Sequence, residues 1–147
     1  MHASTTATLP QLTIGRIADL ADISANAVRF YEREGLMAVP AKSSSGYRLY
    51  GLDAVERLRF IKQAQLCGFT LVEIQDLLRV RDEETSCCDD VRSKVIEKKL
   101  QMESRIKEMR TMSQELDRLL ANCVDVGASV QACSILATLS AVRESPQ

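Results

Sequence analysis

The chain has 147 residues and nearly cancelling charges, 19 Lys and Arg against 20 Asp and Glu. That length holds one compact domain or a small domain with an extension, and the charge balance excludes a protein held to nucleic acid by bulk charge; DNA binding must rest on local Arg and Lys. Hydrophobic residues at 46% suffice for a core, while 4% aromatics and no Trp lean toward helix and coiled coil, and no apolar run could span a bilayer.

Residues 1–11, MHASTTATLPQ, lack a basic n-region and an apolar h-region and read as a disordered extension, not a signal peptide. Five cysteines without a secretory signal point to a reducing cytoplasm. There, thiols serve as metal ligands, reactive groups or small buried hydrophobes more often than as disulfides.

From Thr13 the pattern turns helical, with Ile14, Ile17, Ala18 and Ala21 on one face. After a break at Asp22-Ile23, Ser24 is a good N-cap for a second short helix that Gly35 ends. Two short helices split by a tight turn outline a helix-turn-helix, although any αα-hairpin has the same outline. Next comes AKSSSGYRLYG, whose Ser/Gly turn and alternation around Tyr47 and Leu49 predict a two-stranded wing. Lys42, Tyr47, Arg48 and Tyr50, with Ser43, Ser44 and Ser45, form a good set of phosphate ligands there.

A third helix is expected over 52–66, with Val55, Leu58, Ile61 and Gln65 near one stripe, Arg57, Arg59 and Lys62 elsewhere, and Cys67-Gly68 ending it. Cys67 reads as buried apolar filler. Thr70 with Glu73 makes a capping box that opens a fourth helix to about Arg81. The acidic linker DEETSCCDD follows, with five carboxylates around Cys87 and Cys88. These read as a solvated loop or helix start, where acidic residues suit the dipole.

No Gly or Pro interrupts 89–122. Stepping back by sevens from Cys123 gives Leu116, Met109, Met102, Val95 and Cys88; a patchier second row runs through Val91, Lys98, Ile106 (one step off), Ser113 and Leu120. This is a heptad seam with defects, and so long a helix finds too little of its own chain to pack on, which favours pairing with a second copy. Cys88 and Cys123 lie five heptads apart, roughly 50 Å at the rise of an α-helix. Within one chain they cannot share a ligand. An antiparallel dimer brings Cys88 of one copy to Cys123 of the other, in two symmetric sites; a parallel dimer pairs Cys88 with Cys88. The spacing permits either.

Beyond Cys123, CVDVGASVQAC bends at Gly127 and returns Cys133 on the turn SILATLSAV. Three thiolates, Cys88, Cys123 and Cys133, suit a soft divalent ion: Hg, Pb, Cd, or Zn with one further ligand. Cys87 sits one residue off the seam, as an extra ligand or an exposed thiol.

LTIGRIADLADISANAVRFYEREGL, SGYRLYG, GFTLVEIQDLL, the long helix and the cysteine loop together resemble the MerR family of bacterial transcriptional regulators, over residues 12–140. The cysteine placement resembles its divalent heavy-metal-sensing branch. The resemblance implies a mainly α fold: a winged helix-turn-helix DNA-binding domain with linking helices over 12–81, an acidic linker and antiparallel coiled-coil dimerisation helix over 82–122, and a metal-binding loop, short helix and tail over 123–147. It implies a homodimer on the dyad-symmetric spacer of double-stranded promoter DNA, acting on RNA polymerase by distorting the spacer when the inducer binds.

By position, Arg29 and Tyr31 match family DNA contacts, as do Tyr47, Arg48 and Tyr50. Ala27 stands where Thr is common, and Lys42 where Arg is common. Cys88 matches the cysteine of divalent-ion sensors, where copper(I) and silver(I) sensors typically carry Ser, and Cys123 and Cys133 match the loop pair. Zinc-responsive relatives usually add a cysteine and a histidine where this chain has Val124 and Ala128; its sole histidine is His2. The loop has nine residues between its cysteines, one more than in mercury sensors of this kind.

Enzyme chemistry finds no support: no histidine near a nucleophile, no Gly-rich phosphate loop, no carboxylate pair. The competing reading is a thiol-based redox-responsive regulator of the same fold, with Cys87-Cys88 and Cys123 forming a disulfide.

Overall fold

The computed structural model describes residues 10–124 and 127–141. The expected N-terminal extension up to residue 9, His2 and the tail from residue 142 lie outside them. The chain divides into two compact units, Met1–Lys94 and Val95–Gln147.

The first unit opens with α1 (Ile14–Ala21) and α2 (Ala25–Arg33). Each is far shorter than an isolated helix needs to persist in water, so caps and burial must hold it. The caps are local: the Thr13 hydroxyl accepts from the Arg16 N–H at 3.3 Å and Ser24 from Ala27 at 3.0 Å. Burial comes from α3 (Leu52–Leu66) and α4 (Leu71–Asp82), the latter opened by the Thr70–Glu73 capping box. Ile17, Val28, Leu36, Leu58, Ile61, Ile74 and Leu78 are fully buried among these helices, each side chain contributing about 1.5–3 kcal/mol by leaving water.

The turn between α1 and α2 has a specific cost and a specific support. Asp22 sits at φ 55°, the left-handed region, which disfavours residues with a Cβ. Lys62 of α3 donates to the Asp22 carbonyl at 2.8 Å and to its carboxylate at 2.9 Å, and Arg59 donates to the Leu20 carbonyl at 2.9 Å. The Lys62 hydrogen bond and charge hold the Asp22 carboxyl below its ordinary range. The basic residues off the apolar stripe of α3 thus fix the helix-turn-helix corner.

Two expectations are corrected here. The wing is not a pair of strands: it consists of single antiparallel bridges, Lys42 to Arg48 and Leu12 to Tyr50. Its tip turns tightly, the Gly46 N–H donating to the Ser43 carbonyl at 2.9 Å and Ser43 to Tyr47 at 2.7 Å, and Gly46 at φ 85° makes the turn possible. Cys67 is exposed, not buried; it is the C-cap of α3, after Ala54, Leu58, Ile61 and Ala64 have carried the buried face.

The long helix α5 spans Cys88–Ala121. Lys98 is its buried residue among those described, whereas Val95, Ile106, Met109, Leu116 and Leu120 are exposed. A turn of 3₁₀ helix (Val130–Ala132) and α6 (Ser134–Ser140) follow. No helix among the described residues is long and apolar enough to cross a membrane.

Candidate functional site

Two groups of expected residues converge in separate places. In the first unit, Arg29 of α2 and Lys42, Tyr47, Arg48 and Tyr50 of the wing line one cavity of about 240 Å³ with Thr13, Ile14, Glu32 and Gly46. Arg29, Lys42, Tyr47 and Arg48 are exposed. Arg29 is partly held in place, its guanidinium donating to Asn26 Oδ1 at 3.2 Å one turn back. The result is a local cluster of three cations and a phenol on a chain with no net positive charge.

Tyr31 and Tyr50 are placed differently: 7% and 4% exposed, they belong to the core. Tyr31 donates to Gln65 Oε1 of α3 at 2.6 Å, and Tyr50 to Glu32 Oε1 of α2 at 2.6 Å. Burial, then the hydrogen bond to Glu32 and its charge, push the Tyr50 hydroxyl up to about 12, with Arg48 and Arg29 opposing. Burial likewise raises Tyr31. Both phenols therefore stay protonated, as donors committed to internal partners. Sequence reasoning missed Glu32, and placed Gln65 on the stripe of α3 without its partner. Glu32 could have been found, because it lies three residues after Arg29 and so shares its helix face; Gln65 is a partner across 34 positions of chain and leaves no local mark.

In the second unit, Cys123 and Cys133 are half-buried and line one cavity of about 160 Å³ with Ala128, Val130 and Leu136. The return is built by the backbone. Gly127 at φ 102° allows the bend, Cys123 donates its N–H to the Leu120 carbonyl at 3.1 Å, and Ser134 Oγ donates to the Asn122 carbonyl at 3.0 Å. That last bond clasps the start of α6 to the end of α5. Two thiols lining a largely apolar hollow are candidate donors for a soft ion.

The expected third thiol, Cys88, is the first residue of α5 and exposed, and Cys87 before it is exposed too. The Cys87 N–H donates to Asp90 Oδ2 at 2.9 Å, so the acidic residues here cap a helix. Among the described residues of a single chain, no group of three or more His, Cys, Asp or Glu side chains could hold an ion.

Comparison with known proteins extends these observations. The model of the "MerR HTH family regulatory protein" matches residues 12–80, and that of "MerR, DNA binding" matches residues 55–119. Over 127 residues the chain is 35% identical to the HTH-type transcriptional regulator ZntR of Escherichia coli (strain K12), covering 86% of this chain and 90% of that one. The transcription regulator PbrR691 from Ralstonia metallidurans CH34, solved in complex with lead(II), is similar over 88% of this chain and 99% of that one, with TM-score 0.79 and 36% identity. The dual-function transcriptional regulator MerR of Bacillus megaterium MB1, solved with a mercury(II) ion, is similar over 87% and 98%, with TM-score 0.70 and 32% identity. With a helix-turn-helix corner, a cationic wing and relatives matched over most of their length, this chain belongs to the MerR family of transcriptional regulators, a DNA-binding family and not a family of enzymes.

Proposed function

We propose that this chain is a metal-responsive transcriptional regulator acting in the bacterial cytoplasm. It binds a dyad-symmetric promoter spacer as a homodimer and activates RNA polymerase by distorting the DNA when a soft divalent ion binds. The observation that carries the reading is the pairing of half-buried Cys123 and Cys133 in one hollow at the end of α5.

Arg29, Lys42, Tyr47 and Arg48 hold the DNA: cations and a phenol suited to phosphate contact, with Arg29 on the helix positioned for base edges. Tyr31 and Tyr50 hold the reading head together through Gln65 and Glu32, and contribute to DNA binding by fixing α2 and the wing, not as exposed anchors. The dimer is supported by α5, whose exposed apolar row through Val95, Met109 and Leu116 would otherwise stay in water.

Cys123 and Cys133 provide two sulfur donors, and an antiparallel partner supplies the third, Cys88 of the partner subunit. Cys87 is an additional candidate ligand beside it. Bound there, a mercury, lead, cadmium or zinc ion supplies a crosslink between subunits. Sulfur donors select soft ions over hard ones, and the half-buried hollow lessens competition from water. The redox alternative uses the same thiols, but Cys87 and Cys88 are exposed while Cys123 and Cys133 already share a pocket suited to a ligand, which favours the ion.

Titrating the reduced dimer with Hg(II), Pb(II), Cd(II) and Zn(II) tests this, with ligand-to-metal absorption followed alongside a promoter assay. The expected result is saturable absorption at one ion per site, in step with induction by at least one of these ions. Induction by oxidant alone, with no response to any of the four, would establish the redox reading instead.

A further inference from the structure

We infer that Arg57 is a positioning residue that couples the linker before α5 to the DNA-reading head. The inference rests on the metal-responsive reading above. Its basis is one side chain with two ends to hold. Arg57 Nε donates to the Leu36 carbonyl at 2.6 Å, and its Nη1 donates to Asp82 Oδ2 at 3.0 Å. Leu36 follows α2, and its own N–H donates to the Tyr31 carbonyl at 2.9 Å, so it is tied to that helix. Asp82 is the last residue of α4, and residues 83–87 lead from it to Cys88. A planar guanidinium with donors in a fixed fork thus joins the exit of α2 to the entrance of the linker.

Neighbouring contacts make this junction stiff on one side and free on the other. Arg81 lies 3.9 Å from Glu56 and places its guanidinium 5.5 Å from the centre of the Phe60 ring, pinning the last turn of α4 onto α3. On the opposite side, Arg57 lines a cavity of about 160 Å³ with Met37, Pro40, Tyr50 and Gly51, where the wing rejoins α3. That cavity opens to solvent, so on this side the segment after α2 is not packed against protein. Tyr50, on its wall, is bonded to Glu32 of α2. A displacement at Asp82 therefore reaches α2 through Leu36, and the wing through Tyr50.

Asp82 is 57% exposed, and so open an ion pair adds little to stability. Its role is geometric, which makes it separable by experiment. Three quantities are measured on the full-length dimer: operator affinity, Hg(II) affinity from ligand-to-metal absorption, and Hg(II)-induced transcription. Asp82→Ala is expected to keep both affinities and to lose induction by about fivefold or more. Arg57→Lys, with a single ammonium in place of the fork, should lose induction similarly, and the double variant should lose no more than either single one. Unchanged induction in Asp82→Ala, additive losses, or a parallel loss of Hg(II) affinity would each overturn the coupling. Failure of the unaltered dimer to respond to Hg(II), Pb(II), Cd(II) or Zn(II) would overturn the metal reading itself, an outcome distinct from a responsive dimer whose Asp82→Ala variant responds equally.

Discussion

A Cys88→Ser protein is expected to lose metal-induced transcription altogether while still binding its operator with near-normal affinity. The substitution replaces a thiol by a hydroxyl at the first residue of α5, a change of little bulk and large chemistry. A soft divalent ion prefers thiolate to hydroxyl, and a serine oxygen does not ionise in the neutral range to compensate. The two remaining donors, Cys123 and Cys133, still line their hollow, but a two-sulfur site no longer reaches across to the partner. Operator binding is unaffected because Arg29, Lys42, Tyr47 and Arg48 converge on a cavity that Cys88 does not line. A promoter assay with an operator-binding titration separates the two effects. Simultaneous loss of both would mean that Cys88 supports the fold and not the sensor.

Arg48→Ala should weaken operator binding and flatten its salt dependence. Arg48 is exposed and held by a single bridge to Lys42 in the wing, so little of the fold depends on its guanidinium. Each cation removed from a DNA phosphate lowers the slope of log affinity against log salt by about 0.9, and the dimer loses two, so the slope should fall by about 1.8. Affinity measured across a salt series reads this directly. A base-reading residue behaves differently: Arg29→Ala should cost about 1–3 kcal/mol per half-site and relax the preference at one position in each operator half. Unchanged affinity at every salt concentration in Arg48→Ala would remove the wing from the interface.

Much of this architecture was legible in the sequence because its signals are local. Thr13, Ser24 and the Thr70–Glu73 box each mark a helix start through a side chain that reaches only three residues ahead, and the starts fall where those residues put them. The heptad row from Cys88 to Cys123 marked the long helix because a seam of period seven has few other uses. The convergence of Arg29 with the wing cations needed the family resemblance, since nothing local joins position 29 to position 48.

What stayed hidden depends on distance along the chain or on ambivalent chemistry. Tyrosine is both a hydrogen-bonding surface residue and a large core residue, and its letter does not say which; only the packing of Tyr31 and Tyr50 shows that their hydroxyls turn to Gln65 and Glu32. Arg57 and Lys62 stood only as residues off the apolar stripe of α3, yet they bond to groups 21 and 40 positions away. Cys67 looked like core filler because free cysteine usually is, but the helix ends there and leaves it outside.

The central claim is that sulfur from two chains builds each sensor site, and a mixed dimer tests it most directly. A Cys88→Ser chain is paired with a Cys123→Ser chain, and the heterodimer is titrated with Hg(II) by ligand-to-metal absorption. In the antiparallel arrangement one site receives both substitutions and the other receives none, so half the thiolate absorption of the unaltered dimer should remain, with a stoichiometry of one ion per dimer. If each chain supplied all its own ligands, both sites would carry one substitution and the intact three-sulfur signature would vanish from the dimer.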